Sequence, residues 1–238
     1  MAIQAVEKQL DFKKMKAAIV KEVTASEAIA LVASKGSTFG DEIIKELKAF
    51  HDVAGKITVY TGDTELPDLN VGNDIAIVDG NLTVAGLIQD CVKVDASLLI
   101  VLGDVACRNF ITLSSIFITG NLNINNIVLG DSLGDYALKV GGDLTARTVM
   151  EGGHWFEITG EATVEHLFHS HGSVRDKNGV LKPNLADSDL MEDFTENPES
   201  YPGFSYVEMM DDLQDEGAYD LPKTIKFIRQ GGEIVYKT

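Results

Sequence analysis

Four of the five histidines in this 238-residue chain lie in one short segment, GGHWFEITGEATVEHLFHSH. They are His154, His166, His169 and His171. Imidazole is a common zinc ligand, and the spacing His-x2-His-x-His is short enough for one loop to supply several ligands to a single ion. His154 could join them from a neighbouring turn of chain. A metal-dependent enzyme is therefore one hypothesis for this segment.

A structural role is the alternative for the same histidines. Leu167 and Phe168 interrupt the run with apolar side chains, which indicates a strand that is ending, so the histidines would form a polar strand exit with a capping role or contact a partner. Ser170 and Ser173 lie nearby, but we find no oriented third member of a hydrolase triad. The chain also lacks the P-loop, GxGxxG and HExxH motifs. We therefore expect a non-enzymatic protein with no catalytic residue, no resident metal and no cofactor.

The elements that must position this segment are built from a phrase that is anchored on a glycine and occurs six times. The anchors are Gly62, Gly80, Gly103, Gly120, Gly142 and Gly160. In all but the degenerate first copy, apolar or small residues recur two and four residues before the anchor and two, four and seven residues after it. This alternation predicts strands with one buried face. The intervals between anchors are 18, 23, 17, 22 and 18 residues, which is typical of a solenoid whose coils of about 20 residues stack on their neighbours.

The repeat predicts a mainly β fold, namely a parallel β-solenoid with an N-terminal helical cap and an α/β acidic C-terminal region. A right-handed coil is favoured for coils of this length. The predicted domains are residues 1–55 for the helical cap, 56–172 for the solenoid repeats and 173–238 for the acidic C-terminal region and cap.

The fourth copy, ITGNLNINNIVLG, shows which residues we expect on each face of the strands. The inward positions continue from copy to copy, so the core should also include Val105 and Leu144. The predicted inward residues of this copy are Ile118, Leu122, Ile124 and Ile127, and the predicted outward residues are Asn121, Asn123, Asn125 and Asn126. The phrase is therefore interpreted as scaffold.

A short polar or acidic residue follows every anchor glycine. The series is Asp63, Asn81, Asp104, Asn121, Asp143 and Glu161. Stacked coils would place these side chains in one column, where alternation of Asp with Asn reduces like-charge repulsion. A row of calcium ligands is the functional alternative, but calcium-binding β-roll repeats are much richer in Gly and Asp.

Residues 12–53 are predicted to be helical. Ser26 would cap a second helix, which Gly36 would end. The pair at Thr38–Asp41 resembles a capping box that would begin a third helix, which Gly55 would end. We expect the helices to cover the first coil of the solenoid, since an open end would expose apolar side chains and strand edges. The first helix would present on one face Phe12, Met15, Ile19 and Val23.

The net charge of −17 argues against nucleic acid and anionic membranes as direct ligands, because both need footprints of Lys and Arg. Much of this charge is local, since residues 183–222 contain twelve acids and no Lys or Arg. Aromatic and Met side chains lie among the acids, a mixture that predicts a surface for a basic protein partner. The predicted partner-binding residues are Asp193, Phe194, Tyr201, Phe204, Tyr206, Met209, Asp211, Asp212, Asp215 and Glu216.

The sequence indicates a cytoplasmic protein. No apolar run is long enough for a transmembrane helix, and the start MAIQAVEKQLDFKKMK lacks the features of a signal peptide. Cys91 and Cys107 form neither a disulfide framework nor a metal motif, so reduced thiols are the simple interpretation.

The GDL-type phrase that recurs through residues 58–167 resembles the repeats of bacterial polymer-forming cytoskeletal, or bactofilin-like, β-solenoids. It looks closer to a branch of GDLxVxG-repeat proteins that resemble the immunity proteins of secreted toxins. The resemblance implies a protein that binds and occludes a basic toxin or effector, and its alternative is a structural polymer. The helical start and the acidic end would obstruct end-to-end stacking, so we expect a monomer or small oligomer.

Overall fold

The structure is a computed structural model and describes residues 19–51, 54–90, 97–132, 135–169 and 174–182, together with 214–215, 218–219, 226 and 228. The fold is mainly β, and its body is a parallel β-solenoid of about six turns. The predicted fold class, a mainly β chain built on a parallel β-solenoid, is therefore confirmed. Two helices, α1 (Ala25–Lys35) and α2 (Gly40–Phe50), precede the solenoid within the described part of the chain.

The strands are short in most cases and follow one another at the spacing of the repeat. In chain order they are β1 (Ile19–Val23), β2 (Ile57–Thr61), β3 (Thr64–Leu66), β4 (Leu69–Asn70), β5 (Ile75–Asp79), β6 (Leu82–Gln89), β7 (Leu98–Val101), β8 (Val105–Thr112), β9 (Ser115–Ile118), β10 (Leu122–Asp131), β11 (Ala137–Val140), β12 (Leu144–Gly152), β13 (Trp155–Ile158), β14 (Ala162–His169), β15 (Val174–Asp176), β16 (Gly179–Val180), β17 (Gln214–Asp215) and β18 (Ala218–Tyr219).

Two sheets form the walls of the solenoid. Sheet A has nine strands in the order β1-β2-β5-β7-β9-β11-β13-β15-β16, and sheet B has the order β14-β12-β10-β8-β6-β3, with β4 also pairing with β6. Pairing along both walls is parallel, whereas β1 joins β2 and β16 joins β15 in antiparallel fashion. Both ends of sheet A are thus closed by a strand that runs against its neighbour. The strands β17 and β18 form a separate pair.

The core lies between the two sheets and continues from coil to coil. Leu122 pairs with Val105 on one side and with Leu144 on the other, and all three side chains are fully buried. Ile124 belongs to the same apolar cluster, so the predicted core is confirmed at these positions.

The long coils carry an extra residue that shifts the inward pattern. The register between β10 and its neighbours shifts between Ile124 and Ile127, and the core cluster contains Val128 where the repeat predicted Ile127. The prediction that Asn126 faces solvent is also wrong, because it is buried and its Nδ2 donates to Asn109 Oδ1 at 2.7 Å. A bulge of this kind changes which side chains face inward.

The N-terminal elements differ from the predicted helices at several points. Ile19 and Val23 belong to strand β1, where β-branched residues suit an extended chain, and not to a helix. Thr24 rather than Ser26 caps α1, through a capping box with Glu27, while Gly36 ends α1 in the left-handed conformation as predicted. Phe12 and Met15 lie outside the described residues.

Helix α2 lacks the predicted capping box. Its N-cap is Phe39, which makes no side-chain capping hydrogen bond, and the helix ends at Phe50 with His51 as C-cap. The prediction that Thr38 and Asp41 begin the helix and that Gly55 ends it is therefore wrong. Gly55 instead donates its backbone N–H to Asn73 O at 2.9 Å.

The helices pack on the outer face of sheet A and do not form a lid over the first coil. Their buried residues, among them Val32, Ile43 and Leu47, form one cluster with outward residues of β2, β5, β7 and β9. The reason is that β5 and β7 are apolar on both faces, so their outer face requires a cover of its own. The outward strand residues in this cluster are Ile57, Val59, Ile75, Ile77, Leu98, Ile100 and Phe117.

Candidate functional site

The column of residues that follows the anchor glycines forms a continuous hydrogen-bonded ladder. Each side-chain oxygen accepts a hydrogen bond from the backbone N–H of the next residue in the column, one coil further on. The distances are 3.0 Å from Asn81 N to Asp63 Oδ1, 2.8 Å from Asp104 N to Asn81 Oδ1, 2.7 Å from Asn121 N to Asp104 Oδ1, 2.9 Å from Asp143 N to Asn121 Oδ1 and 2.8 Å from Glu161 N to Asp143 Oδ1. The column predicted from the sequence therefore stacks, and Asp and Asn are used because both offer a short oxygen acceptor.

The ladder explains why a glycine stands before the later residues of the column, at Gly103, Gly120, Gly142 and Gly160. A Cβ atom on Gly120 would lie 2.2 Å from Asp104 Oδ1 and 2.8 Å from the carbonyl carbon of Gly103. A Cβ on Gly160 would lie 2.2 Å from Asp143 Oδ1 in the same way. The backbones also bond directly, with Gly142 N donating to Gly120 O at 2.8 Å. The acceptor side chains thus occupy the space that any larger residue would need.

The carboxylates of the ladder have a structural role. In Asp63, Asp104 and Asp143 one oxygen is engaged by a backbone N–H of the next coil. At the end of the column, Lys177 Nζ lies 2.9 Å from Glu161 Oε2, and this pair raises the pKa of Lys177. The stacking role accounts for the residue types without calcium.

His154 is a core residue. Its side chain is fully buried just before β13, its Nδ1 lies 3.0 Å from Ser132 Oγ, and its ring meets the ring of Phe156 edge to face at 5.7 Å. Burial lowers the pKa of His154 to about 3, so the imidazole is neutral at physiological pH. Its Nε2 has no hydrogen-bond partner among the residues that the structure describes. No periodic pattern indicates the contact with Ser132, which comes from the preceding coil.

His166 belongs to the other wall of the solenoid. It lies in β14 of sheet B, in register with Thr148, and its Nε2 is 3.4 Å from Glu165 Oε1. Burial lowers the pKa of His166, although the nearby Glu165 carboxylate opposes that effect. The backbone of His169 pairs with Glu151 in the same sheet, and His171 lies outside the described residues. Within the described ranges no three His, Cys, Asp or Glu side chains are grouped so as to hold a metal ion.

A buried polar network at the turn between the sheets escaped the sequence analysis. Asp90 is fully buried, and its carboxylate accepts from Thr112 Oγ1 at 2.8 Å, from Leu113 N at 2.9 Å and from Ser114 N at 2.9 Å. Ser114 Oγ in turn donates to Ser97 O at 2.6 Å. A buried carboxylate with several donors is a structural anchor for the turn.

The outer face of sheet A becomes polar beyond the helices. Lys139 Nζ lies 2.6 Å from Glu42 Oε2 of α2 and 2.9 Å from Glu157 Oε2 of β13. Burial opposes the charge on Lys139, but the hydrogen bonds to the two carboxylates outweigh it and raise its pKa. Next to this network Trp155 is 37% exposed, and the Arg175 guanidinium carbon lies 5.5 Å from its ring centroid. Trp and Arg on a rigid sheet are residue types that often anchor protein interfaces.

An open cavity of about 440 Å³ lies between the helices. It is lined in part by Val32, Ser37 and Phe39, and it lies at the N-terminus of α2. Asp41 and Glu42 in the first turn of α2 already place negative charge beside the helix dipole. These carboxylates make the cavity unsuited to an anion.

Most of the predicted partner-binding residues lie outside the described part of the chain. The exception is Asp215, whose backbone belongs to β17 and pairs with Ala218. The others are Asp193, Phe194, Tyr201, Phe204, Tyr206, Met209, Asp211, Asp212 and Glu216. Their role as a partner surface stays a prediction.

The chain was compared with protein-family models, curated proteins and solved structures. None of them matches it. Among the described residues, no helix has the length and apolar character needed to cross a membrane.

Proposed function

We propose that this protein is a non-enzymatic binding module, and that it acts as an immunity-type protein that captures and occludes a basic toxin or effector in the cytoplasm. The concentration of twelve acids, with no Lys or Arg, in residues 183–222 is the observation that carries this proposal. Like charges gathered in one segment repel one another, and a cationic partner would remove that cost. Electrostatic attraction would speed capture, while the aromatic and Met residues of the segment would hold the complex.

The solenoid supports this function as a rigid frame. The ladder ties each coil to the next through both side chain and backbone, and the helices are fixed to sheet A by an apolar cluster and by the Lys139–Glu42 ion pair. A rigid frame keeps the entropy cost of binding low. The buried free thiol of Cys107 suits a reducing compartment.

The resemblance to bactofilin-like solenoids supports a second function, that of a structural polymer. One observation favours it, since Ile19 and Val20 on the terminal strand β1 are 72% and 56% exposed. An exposed apolar edge strand is a common site of strand addition. The antiparallel strands at both ends of sheet A argue for a closed particle instead. Sedimentation at micromolar concentration separates the two functions, because a polymer would give large particles and filaments in electron micrographs.

The third hypothesis, a metal-dependent enzyme at the four histidines, has less support. Its possible additional ligand is separated from the run of histidines, because His154 lies buried beside sheet A and His166 lies in sheet B. Elemental analysis of untagged protein tests it. Stoichiometric zinc that disappears in the variant His166→Ala/His169→Ala would restore this hypothesis.

The proposed partner surface can be tested with the full-length protein. A partner identified by pull-down from the native lysate is measured for association rate at low and at physiological salt. The variant Asp211→Lys/Asp212→Lys should slow association, most strongly at low salt. The control Glu65→Lys/Asp135→Lys makes the same charge change at exposed sites on the solenoid and should slow it much less. Equal effects of the two variants would contradict a binding role for the acidic segment.

A further inference from the structure

The hairpin that closes the C-terminal end of sheet A contains an unusual dipeptide. Asn178-Gly179 is the one Asn-Gly pair in the 238-residue sequence, and it lies where β15 turns into β16. Asp176 holds the turn, because its Oδ1 accepts the backbone N–H of Asn178 at 2.7 Å. The turn is attached to the previous coil by a hydrogen bond from Lys177 N to Gly160 O at 3.0 Å.

The surroundings of Asn178 leave its side chain open to reaction. Asn178 and Gly179 are both exposed, and a Cβ built on Gly179 would meet no atom of a described residue within 4 Å. Gly179 has φ +117°, a conformation that favours glycine, and it has no side chain to block an approach to its nitrogen. Its backbone pairs with Asp176 in the hairpin, so the attack requires that pair to open. Within the described part of the chain, the amide of Asn178 makes one long side-chain contact, 3.4 Å from Nδ2 to Asp176 Oδ2.

We propose that Asn178 is a site of spontaneous deamidation that modifies this closing hairpin. The backbone nitrogen of Gly179 gives its proton to a solvent base and attacks Cγ of Asn178. The new N–Cγ bond closes a five-membered succinimide ring, the Cγ–Nδ2 bond breaks, and Nδ2 takes up a proton and leaves as ammonia. Water then adds to one of the two ring carbonyls and opens the ring to aspartate or isoaspartate. The only co-reactant is water.

The ladder asparagines provide an internal contrast. Asn81 and Asn121 are each followed by leucine, and their Oδ1 atoms accept backbone hydrogen bonds from the next coil. Succinimide formation at these asparagines would break an inter-coil hydrogen bond of the ladder. The buried leucine side chain that follows each asparagine would also hinder ring closure. The structure therefore protects these amides and exposes that of Asn178.

The two products have different consequences for the end of the solenoid. The aspartate product has an unchanged backbone length and adds one negative charge beside Asp176. Isoaspartate lengthens the backbone by one carbon, which disturbs the pairing of Arg175 with Val180 and the hydrogen bond from Leu181 N to Val174 O at 2.9 Å. Leu181 packs against the core cluster, so isoaspartate should loosen the strand that covers the last coil.

The experiment ages the full-length protein at neutral and at mildly alkaline pH and follows it by peptide mass mapping. The Asn178 peptide should lose its amide and gain isoaspartate, faster at the higher pH, while the Asn81 and Asn121 peptides stay unchanged. Retention of the Asn178 amide, or loss at the same rate as at the ladder asparagines, would overturn the proposal. The variant Gly179→Ala should slow the loss at Asn178. If that variant does not fold, the rates of amide loss at Asn178, Asn81 and Asn121 in the wild-type protein still test the proposal.

Hydrogen exchange tests the structural consequence on the same aged sample. The amides of residues 174–182 should exchange faster than before ageing, whereas those of β9 should not change. The variant Asn178→Asp separates the added charge from the lengthened backbone, and it should leave exchange near the unaged level. Unchanged exchange after isoaspartate has formed would overturn the loosening of the hairpin.

Discussion

Asp104 Oδ1 lies 2.7 Å from the backbone nitrogen of Asn121, and this hydrogen bond joins two successive coils of the solenoid. The Asn121 side chain repeats the same contact with Asp143 N at 2.9 Å. One residue is therefore donor to the coil before it and acceptor for the coil after it.

Replacing Asn121 separates the hydrogen bond of the ladder from its charge pattern. Asn121→Ala removes the acceptor for Asp143 N and should lower the free energy of unfolding by about 1 kcal/mol. Asn121→Asp keeps an oxygen there but places a third charge between Asp104 and Asp143. Its destabilisation should be largest at low salt and shrink in about 1 M salt, because coils about 4.8 Å apart leave these exposed charges close together. Urea unfolding at two salt concentrations measures both effects. A salt-independent loss in Asn121→Asp would show that repulsion along the column is unimportant.

Gly120 should not tolerate a side chain. Gly120→Ala would place a Cβ against Asp104 Oδ1 and the Gly103 backbone, and such overpacking should cost about 1–3 kcal/mol in unfolding free energy. Gly40→Ala is the matched control, since its Cβ would have one ordinary contact, 3.7 Å from Ser37 Oγ, in helix α2. The control should be neutral or slightly stabilising. Similar melting temperatures for the two variants would contradict the close approach of the coils.

Ile124 should contribute strongly to stability. It is 3% exposed and belongs to the central core cluster, so Ile124→Ala should lower the unfolding free energy by roughly 2–5 kcal/mol. Asn123→Ala is the control on the exposed side of the same strand and should change stability by less than about 0.5 kcal/mol. Chemical denaturation of the three proteins measures the difference. An unchanged midpoint for Ile124→Ala would show that the inward assignment is wrong.

His154 should make stability depend on pH below neutrality. The pKa of His154 is lowered from 6.5 to about 3 by burial, so the unfolded chain binds a proton below pH 6.5 that the folded chain does not bind. Above pH 6.5 His154 is neutral in both states, so it does not reduce the free energy of unfolding. As the pH falls from 6.5 toward 3, this free energy decreases by roughly 1.4 kcal/mol per pH unit. His154→Gln should reduce this slope between pH 6.5 and about 5.5, above the usual pKa range of Asp and Glu carboxyls. Equal slopes for the two proteins in urea titrations would contradict a neutral, buried imidazole.

The solenoid and its core were predictable because each coil repeats the same local pattern. Leu122 and Val105 occupy equivalent places in successive copies, so periodicity alone puts them on one face. The ladder was predictable as a column for the same reason. The hydrogen bonds of the ladder could not be predicted, because they depend on how closely a glycine in one coil approaches an Asp or Asn in the coil before it.

Other features could not be read from local patterns. The position of the bulge in β10 decides whether Ile127 or Val128 faces the core. The bulge forms because a long coil must pair with a shorter coil on each side. The helices lie on sheet A because four strands combine their outward apolar residues into one surface. A signal for that surface was present in the continuous apolar runs of β5 and β7, which alternation does not explain.

The sequence by itself determined the coil length, the inward residues outside the bulges and the identity of the stacked column, because these follow from short-range alternation that is repeated in every copy. Only the tertiary structure decided that His154 is buried beside Ser132 while His166 lies in the other sheet, and that the helices cover a wall and leave the end to β1. These outcomes depend on contacts between residues that are distant in the chain. The free energies of such contacts cannot be inferred from a local sequence pattern.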